Sequence, residues 1–454
     1  MRPDLEAQLL ARAARSQAEG RLPSLAAGVV QDGSLSWWCG RGCIDGTPSG
    51  SEPDADTQYR IGSITKTFVA VLVMRLREEG RLELDDPLET HVPGTPFGDR
   101  SLGQLLAHAG GLTAESPGDW WERTPGVPFD ELAQRLTTEH EKLATGTRFH
   151  YSNLGFGLLG RVVEVVRGRP WLDCAREEVL EPLGMVRTTP RPEAPAAQGF
   201  AVHPWADVVL PEPEEDAVAM GPAGQLWSTL TDLAKYAGVF LGRAPQVLSP
   251  ETVREMSVPG VVDARPSGWS AYGLGLQVHQ RPDGRRLTGH GGSMPGFLAS
   301  FLVDAEQQTA SIVMANATSG LDGTIGADLL DLLKEREPYV VPAWRAVPEQ
   351  PGDLEIAGPW YWGVTPLAVR LRGLDALDLV PLGPAGRGAR FVRVDGAWVG
   401  LDGYYAGETL RVVRTPEGAV SHLDLATFVL TREPYEPAAV QPGGVEAPGW
   451  RPLC

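Results

Sequence analysis

The spacing of apolar residues changes period several times along this chain, and each change marks a predicted element. The opening stretch, "MRPDLEAQLLARAARSQAEG", carries charges throughout with leucines and alanines on one side, and predicts an amphipathic helix. "AAGVVQDGSLSWWCGRGC" is apolar on alternate positions around Asp32-Gly33 and predicts an antiparallel hairpin. From Ile64 the spacing becomes helical: Phe68, Leu72 and Leu76 recur at four-residue steps until Gly80 stops the run. "NLGFGLLGRVVEVVRG", Asn153 to Gly168, predicts a buried helix ending at glycine. "STLTDLAKYAGVFL" predicts another, with Thr229 as N-cap and Asp232 placed to complete a near capping box. Strand patterns return near Leu287 with "RRLTGHGG", "FLASFLVD" and "TASIVMAN", the latter two apolar enough for a buried sheet, before "GTIGADLLDLLKERE" closes as a helix.

The texture then changes. "PYVVPAWRAVPEQPGD", Pro338 to Asp353, is rich in proline, follows neither period and reads as a linker. Beyond it come "LAVRLRG", "ALDLVPLG", "RFVRVDGAWVGLDGYY", "TLRVVR" and "LDLATFVLTR", short strands separated by turns such as Asp395-Gly396. They predict a small antiparallel barrel. The predicted division is a mixed helix-and-strand domain over 1–340, a linker over 341–353 and a barrel over 354–454.

Composition narrows the function classes. With 42% hydrophobic and 22% charged residues the chain is that of a soluble globular protein. A formal charge of −18 argues against nucleic acid or an anionic membrane as partner. The N-terminal stretch lacks the apolar core of a secretory signal and no segment approaches a membrane span, so a cytoplasmic location is expected. Cys39, Cys43, Cys174 and Cys454 are expected to be free thiols. Nothing in the pattern calls for a metal or organic cofactor.

Lysine is scarce: only Lys66, Lys142, Lys235 and Lys334 occur, and Lys66 stands three positions after Ser63 in "RIGSITKTF". At a helix start these two side chains share a face. A serine hydroxyl is a poor nucleophile until a base takes its proton. A lysine set in an apolar wall loses its charge readily and supplies that base, and the helix N-terminus favours the developing alkoxide.

Two further segments extend the motif. Tyr151-Ser152-Asn153 lies in "FHYSNLGFG", and His290-Gly291-Gly292 in "TGHGGSMPG". With "IGSITKTF" they resemble the three motifs of serine β-lactamases and penicillin-binding proteins, in the branch with a Tyr-x-Asn second motif. That branch includes class C β-lactamases, D,D-carboxypeptidases, D-aminopeptidases and esterases. The flanking "DTQYRIGSITKTF", "LLAHAGGL" and "PAGQLWSTLTDLAKY" match as well, and the resemblance covers about residues 20–335. It implies an α/β (α+β) transpeptidase-like fold, an antiparallel sheet flanked by helices with an all-helical lobe. It also implies Ser63 as the acylated nucleophile, Lys66 as its base, and Tyr151 as the group that passes protons to and from the leaving group and acceptor. Asn153 would hold a substrate amide or orient Lys66. The backbone N–H groups of Ser63 and Ser293 would form the oxyanion hole on a strand kept slim by Gly291 and Gly292. His290 replaces the lysine common in the third motif. Because histidine is mostly neutral near pH 7, a dedicated β-lactamase is disfavoured.

The absence of an export signal together with the added barrel resembles one branch further: stand-alone penicillin-binding-protein-type thioesterases, which carry a C-terminal lipocalin-like barrel. The implied reaction takes a non-ribosomal peptide from the thioester of a peptidyl carrier protein onto Ser63. The peptide's own amine then releases it as a macrolactam. Arg432 and Arg451 are candidates to reach the site from the barrel. Alternatives are a cytoplasmic esterase, a D-amino-acid-specific peptidase or weak β-lactamase on the same machinery, and a catalytically silent binding protein.

Overall fold

The first unit is built around one sheet whose central strands are buried on both faces, and the helices cover both of those faces. The computed structural model describes residues 1–265, 268–346 and 353–435, and the chain divides into two units, residues 1–340 and 341–454. Eight strands form the sheet of the first unit: β1 (Ser24–Gln31), β2 (Ser34–Gly42), β3 (Val261–Arg265), β4 (Gly268–Tyr272), β5 (Gln277–Gln280), β6 (Arg286–Met294), β7 (Phe297–Asp304) and β8 (Thr309–Ala315). Their order is β2-β1-β8-β7-β6-β5-β4-β3, antiparallel throughout.

The hairpin between β1 and β2 turns on Asp32 (φ 52°) and Gly33 (φ 78°), with Gln31 opposite Ser34, as a two-residue turn that matches strand twist. One expectation changes here: β1 is buried on both faces, whereas its pattern predicted alternation. It lies between β2 and β8. Leu25, Ala27 and Val29 pack with α1 (Pro3–Glu19) and the closing helix, while Ala26 and Val30 join the core on the opposite face.

That opposite core holds α2 (Thr65–Glu78), α3 (Asn153–Arg167) and α4 (Leu230–Phe240); α5 (Ile325–Arg336) lies with α1. Gly80 (φ 65°) and Gly168 (φ 70°) end α2 and α3 in the left-handed conformation that a side chain would strain. Thr229 caps α4 by accepting the Asp232 N–H, but Asp232 does not complete a box. Its carboxylate instead accepts from the Arg187 N–H (2.7 Å) and Thr188 (3.0 Å), tying the helix start to a distant loop. Strands β3 to β5 carry no apolar alternation and were absent from the pattern; pairing along the sheet edge forms them.

The second unit is a run of eight antiparallel strands: β9 (Gly358–Trp362), β10 (Thr365–Arg372), β11 (Ala376–Pro381), β12 (Ala389–Val394), β13 (Ala397–Gly400), β14 (Thr409–Arg414), β15 (Val420–Leu425) and β16 (Phe428–Leu430). A bridge between Tyr361 and Thr431 brings the first strand to the end of the last, so the barrel is nearly closed. Trp360, Leu377, Phe391, Leu423 and Leu425 fill its interior. Residues 338–346 form neither helix nor strand. Cys39, Cys43 and Cys174 form no disulfide, and Cys454 lies outside the described residues.

Candidate active site

Ser63 sits on a single 3-10 turn, Gly62–Ile64, that leads directly into α2, and it is partly exposed where its neighbours are buried. One turn on, Lys66 is fully buried. Its Nζ lies 2.8 Å from Ser63 Oγ and 2.6 Å from the Ala223 carbonyl oxygen, with the rings of Tyr151 and Phe156 5.0 and 5.7 Å away. Burial pulls its pKa down to about 7, against the charges of Glu115 and Glu122, which favour the ammonium. Near neutrality a large share of Lys66 is therefore an amine. In that form its lone pair can accept the Ser63 hydroxyl proton while an N–H remains on the Ala223 carbonyl.

Tyr151 stands just before α3, whose N-cap is Ser152: the Ser152 hydroxyl accepts the Gly155 N–H at 2.9 Å. Burial holds the Tyr151 phenol well above its ordinary pKa, partly offset by hydrogen bonding with Ser63. The phenol therefore stays protonated, so near pH 7 Lys66 and not Tyr151 is the group beside Ser63 able to accept a proton. The His108 ring lies tilted against Tyr151 with centroids 4.3 Å apart, and its Nδ1 accepts the Ser152 N–H at 3.0 Å. That bond fixes the Nε2–H tautomer and pins the backbone beside Tyr151.

Asn153 does not hydrogen-bond to Lys66. Its Nδ2 donates to both oxygens of Glu115 (3.0 and 2.9 Å), and its buried Oδ1 has no partner among the described residues. A buried acceptor is thus left free at the start of α3, two residues past Tyr151.

The third motif lies on β6, and glycine is required there by contact. A Cβ at Gly292 would fall 2.0 Å from the Ile61 carbonyl oxygen, and one at Gly62 (φ +50°) would fall 2.5 Å from the Ser293 nitrogen. The strand backbone is therefore pressed against the turn that carries Ser63. Gly291 donates its N–H to Gln277 Oε1 at 3.2 Å, and Ser293 is exposed. His290 is buried, and burial together with the Lys66 charge takes its pKa down to about 3. Its Nδ1–H donates to the Gly291 carbonyl and its Nε2 accepts the Tyr272 hydroxyl. It presents a neutral imidazole.

The structure thus brings Ser63, Lys66, Tyr151, Asn153, His290, Gly291, Gly292 and Ser293 into one site. Arg432 is committed within its own unit: it donates to the carbonyls of Glu355, Ala357 and Pro359 and stacks on Trp360 at 3.9 Å. Arg451 lies outside the described residues. Sequence reasoning overlooked His108, Glu115, Trp121, Glu122 and Tyr272. His108 stood inside the quoted "LLAHAGGL". The others lie in loop and edge segments with no periodicity, where only tertiary contact reveals a role.

Residues 5–335 match the family described as Beta-lactamase, and residues 349–432 match a family described as a domain of unknown function. A human protein described as putative beta-lactamase-like 1 is 31% identical over 61% of this chain and 58% of its own length. A Dictyostelium discoideum beta-lactamase-like protein 2 is 27% identical over 57% of this chain and 49% of its own. The chain therefore spans about half the length of those relatives. Among solved structures, the octameric penicillin-binding protein homologue from Pyrococcus abyssi aligns with a TM-score of 0.65 and 25% identity over 94% of this chain and 99% of that one. SurE aligns at 0.59 and 26% identity over 95% and 99% of the two chains. A D-stereospecific amidohydrolase from Streptomyces sp. aligns at 0.61 and 26% over 71% and 97%.

Proposed function

The chain belongs to the beta-lactamase family of serine hydrolases and acyltransferases, and from that premise we propose that it releases a carrier-bound peptide by cyclisation through a Ser63 acyl-enzyme. The reading rests on Lys66, a buried lysine within hydrogen-bond reach of Ser63 Oγ whose amine form is present near pH 7. Ser63 Oγ attacks the thioester carbonyl as its proton passes to Lys66 Nζ. The oxyanion is met by the N–H groups of Ser63 and Ser293. Collapse breaks the carbon–sulfur bond, and the departing thiolate takes a proton delivered through Lys66 and Tyr151. The peptide's own amine then attacks the Ser63 ester, its proton returns to Ser63 Oγ, and an amide closes the ring.

Two observations support a peptide substrate over a β-lactam. His290 offers no cation to a carboxylate, and the likeness to SurE spans both units. A SurE structure contains D-Leu, in keeping with a D-configured acylating residue. A peptidyl carrier protein in the cytoplasm is the proposed partner; among the described residues no helix is long and apolar enough to cross a membrane. Incubation with a linear peptidyl N-acetylcysteamine thioester tests the reading. A product lighter by the thiol supports cyclisation, one that has gained water supports hydrolysis, and full turnover by Ser63→Ala overturns both. Hydrolysis is the second reading, favoured by the D-stereospecific amidohydrolase likeness and by the partial exposure of Ser63.

A further inference from the structure

The segment from Glu115 to Arg123 is tied to the second motif at one end and to the approach of the third at the other. At its start the Glu115 carboxylate holds the Asn153 amide and accepts the Trp121 Nε1–H at 2.7 Å. Trp121 is buried, and its ring stands against Gly224, a glycine that also abuts Met294 and Gly62. At its end Arg123 pairs with Glu212, with Nη2 2.8 Å from Oε1. That same Oε1 accepts the Thr318 hydroxyl at 2.7 Å, and Thr318 Oγ1 accepts the Gly296 N–H at 2.9 Å, three residues past Ser293. The segment therefore bridges the Tyr-x-Asn motif and the end of β6, alongside the turn that carries Ser63.

Trp120 stands between these anchors and is 59% exposed, although its edge is fixed. Its Nε1–H donates to Glu122 at 2.8 Å, and the Arg123 guanidinium covers one face at 4.5 Å. Its sequence neighbour Trp121 stands against Gly224, which abuts Gly62 of the nucleophile's turn, so the loop that holds the indole runs alongside that turn. Packing of the loop is done by Trp121. A neighbouring indole that is held at edge and one face, yet open on the other, serves no core.

We propose that Trp120 is a specificity-determining residue, its open indole face forming a subsite for a large apolar or aromatic side chain of the acyl donor. The inference rests on the Ser63 acyl-enzyme reading. A flat, pre-oriented aromatic surface gains apolar burial and ring stacking at little cost in side-chain freedom. Small donors lack the surface to use it.

The test is the ratio of kcat/KM for the p-nitrophenyl esters of N-acetyl-D-phenylalanine and N-acetyl-D-alanine. Wild type should prefer the phenylalanyl ester, and Trp120→Ala should cut that preference about tenfold or more. Trp120→Phe should retain most of it, and Trp205→Ala, at another exposed tryptophan, should leave it as in wild type. A ratio unchanged in Trp120→Ala overturns the subsite while leaving the acyl-enzyme intact. Equal loss in Trp120→Phe and Trp120→Ala also overturns it, since the effect would then run through the Glu122 hydrogen bond. Wild type that is acylated by neither ester, as read by intact mass, overturns the reading beneath it.

Discussion

At the scale of single residues, burying Lys66 costs the fold stability and leaves an amine within reach of Ser63 Oγ. With a folded pKa of about 7 against an ordinary 10.5, the unfolded chain binds the extra proton throughout that interval. Stability contributed at this site therefore rises with pH between about 7 and 10.5 and is lowest below 7. Lys66→Met should raise thermal stability at pH 7, by roughly 1–2 kcal/mol after loss of the Ala223 and Ser63 hydrogen bonds, while lowering acylation at least ~10³-fold. Calorimetry paired with ester turnover checks both. With the amine as the proposed working form, kcat/KM should climb with pH through about 7 and level off above it. Glu115→Gln removes a charge that favours the ammonium, so the climb should move to lower pH; a climb that stays put would separate Glu115 from the base.

At the scale of elements, the site is an agreement between a turn and a strand. Neither Gly62 nor Gly292 can carry a Cβ without displacing backbone of the other element. Gly292→Ala should therefore fold, since β6 keeps its ladder with β7, yet lose roughly 10²-fold or more in kcat as the Ser63 turn is pushed from the Ser293 N–H. Near-wild-type kcat in a folded Gly292→Ala would refute this contact. The helices α2, α3 and α4 were legible in advance because their apolar faces repeat and their ends carry glycine or threonine. Strands β3, β4 and β5 were not, and Tyr272, which donates to His290, was hidden with them. These strands are held by the hydrogen bonds of the neighbours they pair with, so their own side chains need show no pattern.

At the scale of the whole molecule, each unit closes its own core, and the barrel can be perturbed by itself. Trp360 is fully buried, donates its Nε1–H to the Ile356 carbonyl at 2.8 Å and carries Arg432 on its face. Trp360→Ala should destabilise the barrel by ~3–5 kcal/mol and leave the melting of the first unit where it is, giving one shifted transition in calorimetry. If both transitions move together, the cores do not melt separately. Sequence by itself determined the two-part division, the main helices and the three motifs, because each is local: a period, a cap or a spacing of a few residues. It marked Lys66 as unusual through scarcity. Only the tertiary structure decided that Lys66 is dry enough to be an amine, that His290 is buried between Tyr272 and the Gly291 carbonyl, and that Glu115 holds Asn153. It alone committed Arg432 to the barrel's own carbonyls and set Trp120 between two motifs. Those are matters of burial and of contact between distant segments, and desolvation exists only once the chain has closed around the group.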